Sequence, residues 1–283
     1  MQGYLTLATG NKFYLELAVN LALSLKLNDP TRAVCLVTDQ KMEIPEAYHP
    51  YFNDVVRLNA KPGFHGCLNK LRVHKISPFT ETMFIDSDCI LIKKDMDRHW
   101  SKFQAPGFSI AGGKVTDGSW YEFSIADVIE KLGIPYMVKM NSGVFYFRNG
   151  NESDEFFATA LNFVERHKNI LGTMHRNKLQ LADEPFIGAS LGALSLEPIS
   201  YTPKEGSIMI TTINCSNVAF DPIAQTSQIT RHDDYRLFGK FFPRTDVPHS
   251  PTIAHFVKLK PKQLYNNISK QLRDHFGIPQ VKF

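Results

Sequence analysis

Thr82-Met83-Phe84-Ile85-Asp86-Ser87-Asp88-Cys89-Ile90-Leu91-Ile92 sets two carboxylates inside an otherwise apolar run. An ionised carboxylate is very costly to bury without a partner, so this pair demands either a turn into water or a cation. Residues two apart at the end of a strand point the same way. Asp86 and Asp88 can therefore address one hard cation through oxygen. The alternative is a tight hairpin in which Phe84-Ile85 is joined to Cys89-Ile90 by an exposed Asp-Ser-Asp turn. Asp-x-Asp alone is short and common, and its surroundings have to separate the two.

Upstream, residues 4–9 (Tyr-Leu-Thr-Leu-Ala-Thr) form a buried strand closed by Gly10-Asn11, a turn and helix cap. Over residues 13–27 the apolar set Leu17, Ala18, Leu21, Ala22 and Leu25 recurs at helical spacing, and Asn28-Asp29-Pro30 stops it. A second apolar strand follows at residues 33–38, completing a βαβ unit. Such units imply a parallel sheet with helices on its faces and ligands beyond the carboxyl ends of the strands, here Ala8-Thr9-Gly10 and Thr38-Asp39. The alternation continues with a strand at 55–58, a helix at 68–76 and the strand at 83–85. Later strands are expected at 108–111, 143–147, 209–212 and 252–256, with helices at 125–132, 155–167 and 262–276. No internal repeat, low-complexity tract or linker interrupts the 283 residues, and the expectation is one α/β domain.

With 43% hydrophobic and 21% charged residues the chain can bury a sizeable core. A net charge of +4 without a dense basic stripe argues against nucleic acid and suits a modest anionic ligand. Cys35, Cys67, Cys89 and Cys215 lack paired spacing, which suggests buried thiols of a reducing compartment rather than a zinc knuckle. The first residues have no charged segment followed by an apolar one, and no run approaches a membrane span. A cytoplasmic protein is expected. The basic residues gather in a tail, Lys258, Lys260, Lys262, Lys270, Arg273 and Lys282, where Leu264, Ile268, Leu272 and Phe276 recur near helical spacing. That amphipathic helix, residues 262–283 beyond a domain of 1–261, either packs on the domain or rests peripherally on an anionic membrane.

The segment from Cys67 through Lys70-Leu71-Arg72 to Pro78-Phe79, followed by the Asp86-Ser87-Asp88 strand, resembles glycosyltransferase family 8, which includes glycogenin and bacterial lipopolysaccharide galactosyltransferases. The opening, Leu7-Ala8-Thr9-Gly10 through Tyr14-Leu15 to Ser24-Leu25, is similar to that family's, as is Asn141-Ser142-Gly143-Val144. The resemblance runs in order from residue 4 to about residue 261. Downstream it departs. Where family members carry Asp-Gln-Asp and then an Asn, this chain has Asp183-Glu184-Pro185 with Gly188 nearby. Their His-x-x-Gly…Lys-Pro-Trp is here His255-Phe256-Val257-Lys258-Leu259-Lys260-Pro261, without the Gly or the Trp.

The resemblance implies a GT-A fold, a Rossmann-like domain with a mixed central sheet flanked by helices. It also implies transfer of a hexose from a nucleotide sugar, a UDP-hexose, to a carbohydrate or other hydroxyl acceptor. Asp86, Asp88 and His255 would ligate Mn²⁺ or Mg²⁺, the mixed oxygen and nitrogen set suiting Mn²⁺ better. Lys70, Lys258 and Lys260 would meet the donor phosphates as point charges. Thr6, Ala8, Thr9 and Asp39 would lie near the base and ribose, Ser87 beside the metal carboxylates, and Asn141 and Ser142 against the sugar. Each has a plainer role available: His255 as one of ten histidines, the lysines as a solvated tail, Asp39 as a strand exit. Asp183 and Glu184 would act at the reacting carbon. There Glu184 stabilises an oxocarbenium-like transition state with retention, serves as a base with inversion, or merely caps a helix.

Other classes are weaker. A sugar nucleotidyltransferase needs a glycine-rich phosphate signature near the N-terminus, and none is present. The dinucleotide and phosphate-loop glycine motifs are also missing. A non-catalytic nucleotide-sugar binder would not need Asp86, Asp88 and His255 together.

Overall fold

Strand β1 (Gln2–Ala8) is largely buried on both faces, as its mostly apolar sequence requires, and Gly10 then turns the chain in the left-handed region (φ 83°). Asn11 caps helix α1 (Lys12–Asn28) by accepting the Phe13 N–H at 2.9 Å, and the Asp29 N–H closes the helix on Leu25. The structure, a computed structural model, describes residues 1–104, 107–175, 178–202, 206–213, 215–231, 234–237, 240–243 and 247–283. Strand β2 (Ala33–Asp39) lies parallel to β1, and β3 (Asp54–Leu58) parallel to β2. Strand β4 (Glu81–Ile85) is parallel to β1 on its other side.

The chain then crosses through Asp86-Ser87-Asp88 into β5 (Cys89–Leu91), runs through α2 (Met96–Phe103) and returns as β6 (Phe108–Val115). A hairpin of β7 (Ser119–Trp120) and β8 (Phe123–Ser124) leads to α3 (Ile125–Leu132) and the long strand β9 (Met137–Arg148). Strand β9 lies antiparallel between β4 and β6, so the main sheet has the order β3-β2-β1-β4-β9-β6 and is mixed. Alternation along the strands feeds two apolar layers. Tyr4, Ala8, Met83 and Ile85 face α1, whereas Leu5, Phe84, Phe145 and Phe147 pack with Phe156 and Phe157 of α4 (Asn151–Leu171) and Phe186 of α5 (Asp183–Ala193).

Both edges of β4 are taken, by β1 and β9, while β5 pairs with Ile253–His255 in a separate sheet that also holds Met209–Thr211. The Asp-Ser-Asp segment is therefore a crossing between two sheets. It is not a hairpin tip.

The helix expected at 68–76 is two 3₁₀ segments, Gly66–Arg72 and His74–Ile76. Leu68, Asn69, Lys70 and Leu71 are buried in succession, which the single stripe of a surface α-helix does not allow. The strands between Cys215 and His249 gave no signal in sequence, whereas the one expected at 252–256 is present as Ile253–His255.

Helix α6 (Lys262–Phe276) buries Tyr265, Ile268 and Leu272, and Asn20 of α1 donates to Tyr265 at 3.1 Å and to Ser269 at 3.0 Å. Arg273, assigned from sequence to the basic face, is fully buried and paired with Glu16 at 2.8 Å. The apolar face of α6 is spent on the protein's own core, and nothing supports membrane contact through it. No described helix is long and apolar enough to cross a membrane.

Candidate active site

Three chain segments meet where β4 ends. The first is Asp86-Ser87-Asp88, whose Asp86 N–H donates to Gly143 O at 2.8 Å and whose turn closes with Cys89 N–H on Asp86 O at 3.0 Å. The second is Asn141-Ser142-Gly143 within β9. The third is His255, at the end of its strand in register with Cys89. Because β5 and 253–255 are antiparallel neighbours, His255 arrives beside Asp88, with Nε2 at 3.1 Å from Asp88 Oδ1 and 3.9 Å from Asp86 Oδ2. Phe256 N–H donates to Asp88 O at 3.0 Å and fixes the approach.

The glycine in Asn-Ser-Gly now has a reason. A Cβ on Gly143 would sit 2.8 Å from His255 Nδ1, so only glycine lets the imidazole lie against β9. Asn141 Oδ1 accepts the Gly143 N–H and faces His255 Nδ1, each at 2.9 Å. With that oxygen fixed as an acceptor, Nδ1 must carry the proton, and Nε2 is turned on the carboxylates. A bare lone pair beside two carboxylates is repelled, so Nε2 is either protonated or shares a cation with them. Burial opposes charge on His255, but Asp88 and then Asp86 outweigh it and hold the imidazole above its ordinary pKa. The donor set fits a divalent ion. Asp88, Cys89 and His255 offer ligand atoms within 4.8 Å of one another. Burial pushes the Cys89 thiol well above its usual range, so it stays protonated and is a poor ligand for a hard ion. Asp86 is the better third candidate.

Asp86 is also held from the other side. Lys70, buried at the end of the Gly66–Arg72 segment, donates to Asp86 Oδ2 at 2.8 Å and Ser142 Oγ at 3.1 Å, and lies 3.4 Å from Asp183 Oδ2. Burial alone would lower this lysine's pKa. Asp183 and then Asp86 more than reverse that, and its pKa stands well above the ordinary value. Asp86 is nevertheless raised, because burial and the nearby Asp88 oppose its ionisation more than Lys70 favours it. Ser142 Oγ donates to Asp183 Oδ2 at 2.6 Å, and the Ser142 N–H donates to Glu184 Oε1 at 3.1 Å. Asp183 and Glu184 open α5, whose N-terminal dipole favours negative charge there. Four carboxylates thus gather around Lys70 and His255.

Two cavities flank the cluster. The smaller, about 200 Å³, is lined by Leu7, Thr9, Tyr14, Lys70, Asp86 and Asp88, among others including Ser87. The larger, about 730 Å³, runs from Asn141 and Met140 past Gly112 and Gly113 to Tyr201 and Thr211.

Strand alternation turns Thr6 and Ala8 away from the small cavity toward α1, and Leu7 and Thr9 line it instead. Any contact from Thr6 or Ala8 to a ligand there would be through backbone. Thr6 Oγ1 is buried without a hydrogen-bond partner among the described residues. The Asp39 side chain accepts the Gly10 N–H, a strand-exit role. Lys258 and Lys260 are exposed beyond His255. Lys258 has φ 55° and ψ 26° where the resembling family has its glycine. Tyr121, whose hydroxyl donates to Glu184 Oε2 at 2.8 Å, gave no signal in sequence.

No family model matches the chain, and no curated protein is detectably similar in sequence. Solved structures do match. An active-site glutamine-to-glutamate mutant of LgtC is 13% identical over 96% of this chain and 96% of that one, with a TM-score of 0.55. The chain has the GT-A glycosyltransferase fold. The galactosyltransferase LgtC in complex with donor and acceptor sugar analogues matches at 13% identity over 74% of this chain and 76% of that one, TM-score 0.49. The glycosyltransferase GlyE of Streptococcus pneumoniae matches at 12% identity and TM-score 0.47, over 72% of this chain but 46% of that one.

Proposed function

We propose that the chain is a metal-dependent glycosyltransferase that moves a hexose from a nucleotide sugar, a UDP-hexose, to a carbohydrate or other hydroxyl acceptor with retention of configuration. The observation that carries this reading is the convergence of Asp88, His255 and Asp86 between two cavities, with Lys70 on one flank and Glu184 on the other. Asp86, Asp88 and His255 would hold a divalent ion, Mn²⁺ before Mg²⁺. When bound, such an ion would supply Lewis-acid stabilisation of the departing diphosphate.

The protein's own residues account for the rest. The half-exposed ring of Tyr14 on the small cavity suits stacking against a nucleobase, with Thr9 beside it. Lys70 holds Asp86 in place and puts a fixed positive charge beside the phosphates; Lys258 and Lys260 would add charge from outside. The larger cavity suits the acceptor. As the bond from the anomeric carbon to the phosphate oxygen breaks, its electron pair leaves with the diphosphate and positive charge grows on the sugar. Glu184, held by two hydrogen bonds, faces that charge as a carboxylate, with Asn141 and Ser142 against the sugar. The acceptor oxygen then bonds the anomeric carbon, and its proton goes to the departing diphosphate. LgtC has been crystallised with glutamate in place of an active-site glutamine, so this fold accommodates a carboxylate in its site.

The test is incubation of the purified chain with a panel of nucleotide sugars, with Mn²⁺, Mg²⁺ or chelator, scored by release of nucleoside diphosphate and by proton NMR of the product. Metal-dependent release from a UDP-hexose with an α-linked product from an α-linked donor is expected. Full activity in chelator would remove the metal from the reading, and a β-linked product would remove retention.

A further inference from the structure

The β7–β8 hairpin turns through only two residues, Tyr121 and Glu122, with φ 46° and 67°. Two-residue turns with both residues left-handed are ordinarily made by Asn-Gly or Gly-Gly, because a side chain is strained there. Here an aromatic and a carboxylate side chain are kept in that geometry. The hairpin is anchored as well as strained. Trp120 is buried against α5, and a Cβ on Gly188 would lie 3.0 Å from its ring. Gly188 stands one helical turn after Glu184, so the space it leaves seats Trp120 and delivers the next residue, Tyr121, to Glu184. The outcome is a hydroxyl donating at 2.8 Å to Glu184 Oε2, while Oε1 takes the Ser142 N–H at 3.1 Å.

We propose that Tyr121 is a positioning residue for Glu184, and that the strained hairpin exists to place its hydroxyl on that carboxylate. This rests on the transferase reading above. A glutamate with one oxygen on β9 and the other on the hairpin cannot rotate, and its charge is presented in one direction. The groups facing it are Asp183 and Lys70 from its own surroundings, the Ser142 N–H from β9, and Tyr121. Burial and Asp183 raise the Glu184 pKa; Tyr121, the Ser142 N–H and Lys70 lower it.

Tyr121→Phe keeps the ring and removes only the hydroxyl. In this variant kcat should fall about tenfold, as for a lost hydrogen bond to a charged group, with the donor KM nearly unchanged. The carboxyl resonance of Glu184, followed by carbon-13 NMR, should titrate at higher pH than in the wild type. Glu122→Gly relieves the left-handed turn without touching the hydroxyl, and should raise Tm while leaving kcat alone. The carboxyl titration needs no turnover. A wild-type chain that releases no diphosphate from any donor would therefore count against the transferase reading alone. An unmoved Glu184 titration in Tyr121→Phe, or wild-type kcat in an active enzyme, would overturn the role of Tyr121.

Discussion

A lysine and an arginine are buried among the described residues, and their surroundings differ in kind. Arg273 on α6 is matched group for group. Its nitrogens donate to Asn20 at 2.8 Å, Tyr48 at 3.4 Å, Pro279 O at 2.8 Å, and Glu16 at 2.8 Å and 3.3 Å. One carboxylate answers one guanidinium, and the polar neighbours finish the remaining donors. Lys70 of the Gly66–Arg72 segment, facing the end of β4, also has its partners, but the carboxylates around it outnumber the cations. Asp86, Asp88, Asp183 and Glu184 face Lys70 and His255. A balanced network locks a helix to its core, whereas an unbalanced one leaves negative charge that a cationic ligand would offset. Burial and pairing alone do not distinguish structure from chemistry; the residual charge does.

The largest effect that would sharpen this contrast is at Asp88. Asp88→Ala should lower turnover at least about 1,000-fold while Tm stays level or rises, because it relieves carboxylate crowding in the metal-free protein. Calorimetry alongside the release assay checks both, and a large drop in Tm would make the cluster structural after all. Arg273→Met is the counterpart. It strands Glu16 and should cost about 3–5 kcal/mol, with the activity of the remaining folded protein unchanged and no recovery on adding Mn²⁺. Rescue of this variant by metal would break the distinction.

A smaller effect comes from two histidines outside both networks. His99, between Tyr201 and Thr252 at 2.8 Å each, and His74, stacked on Phe157 at 4.3 Å, are held neutral, with burial lowering each from 6.5 to about 4. Their contribution is complete above about pH 6.5 and is lost as pH falls toward 4, since the unfolded chain takes up those protons first. Chemical denaturation should show a loss of roughly 2 kcal/mol per histidine between about pH 7 and about pH 5. His99→Gln should flatten part of that slope, and an unchanged slope would remove His99 as its source. The smallest effect is a gain. Lys258→Gly frees a residue held at φ 55° and should add up to about 1 kcal/mol. If Lys258 meets the donor phosphates, the donor KM should rise at the same time. Gain without that rise would make Lys258 a bystander.

The apolar run around Asp86 and Asp88, the helix of Ile125–Leu132 and that of Lys262–Phe276 were all legible, because burial periodicity and turn residues act locally. The Asp pair was legible in the same way, since two carboxylates inside an apolar run have few physical excuses, while Lys70, Asn141, Ser142 and His255 entered through the family resemblance. Tyr121 was not. Nothing about Trp120-Tyr121-Glu122 announces a left-handed turn, which glycine would have advertised. Nor did Arg273 declare itself: in a basic amphipathic helix it looks like its exposed neighbours until its partner Glu16 is known, and the two lie far apart in the chain.

By itself, then, the sequence determined much of the alternation of strands and helices and the pair of carboxylates that ends β4, because these follow from local side-chain chemistry and burial, whereas the Asn-Ser-Gly segment was marked only by the family resemblance. The family resemblance, not local chemistry, singled out His255 among the chain's ten histidines, and only the tertiary structure decided that Gly143 clears the space for it and that Asp86 is shared between Lys70 and His255. It also turned Thr6 and Ala8 away from the cavity and closed the apolar face of α6 against α1. These depend on register between strands distant in sequence and on which face each strand offers, and a shift of one residue would reverse them. Local chemistry can nominate a site; only the pairing of distant strands can bring its members within hydrogen-bonding distance.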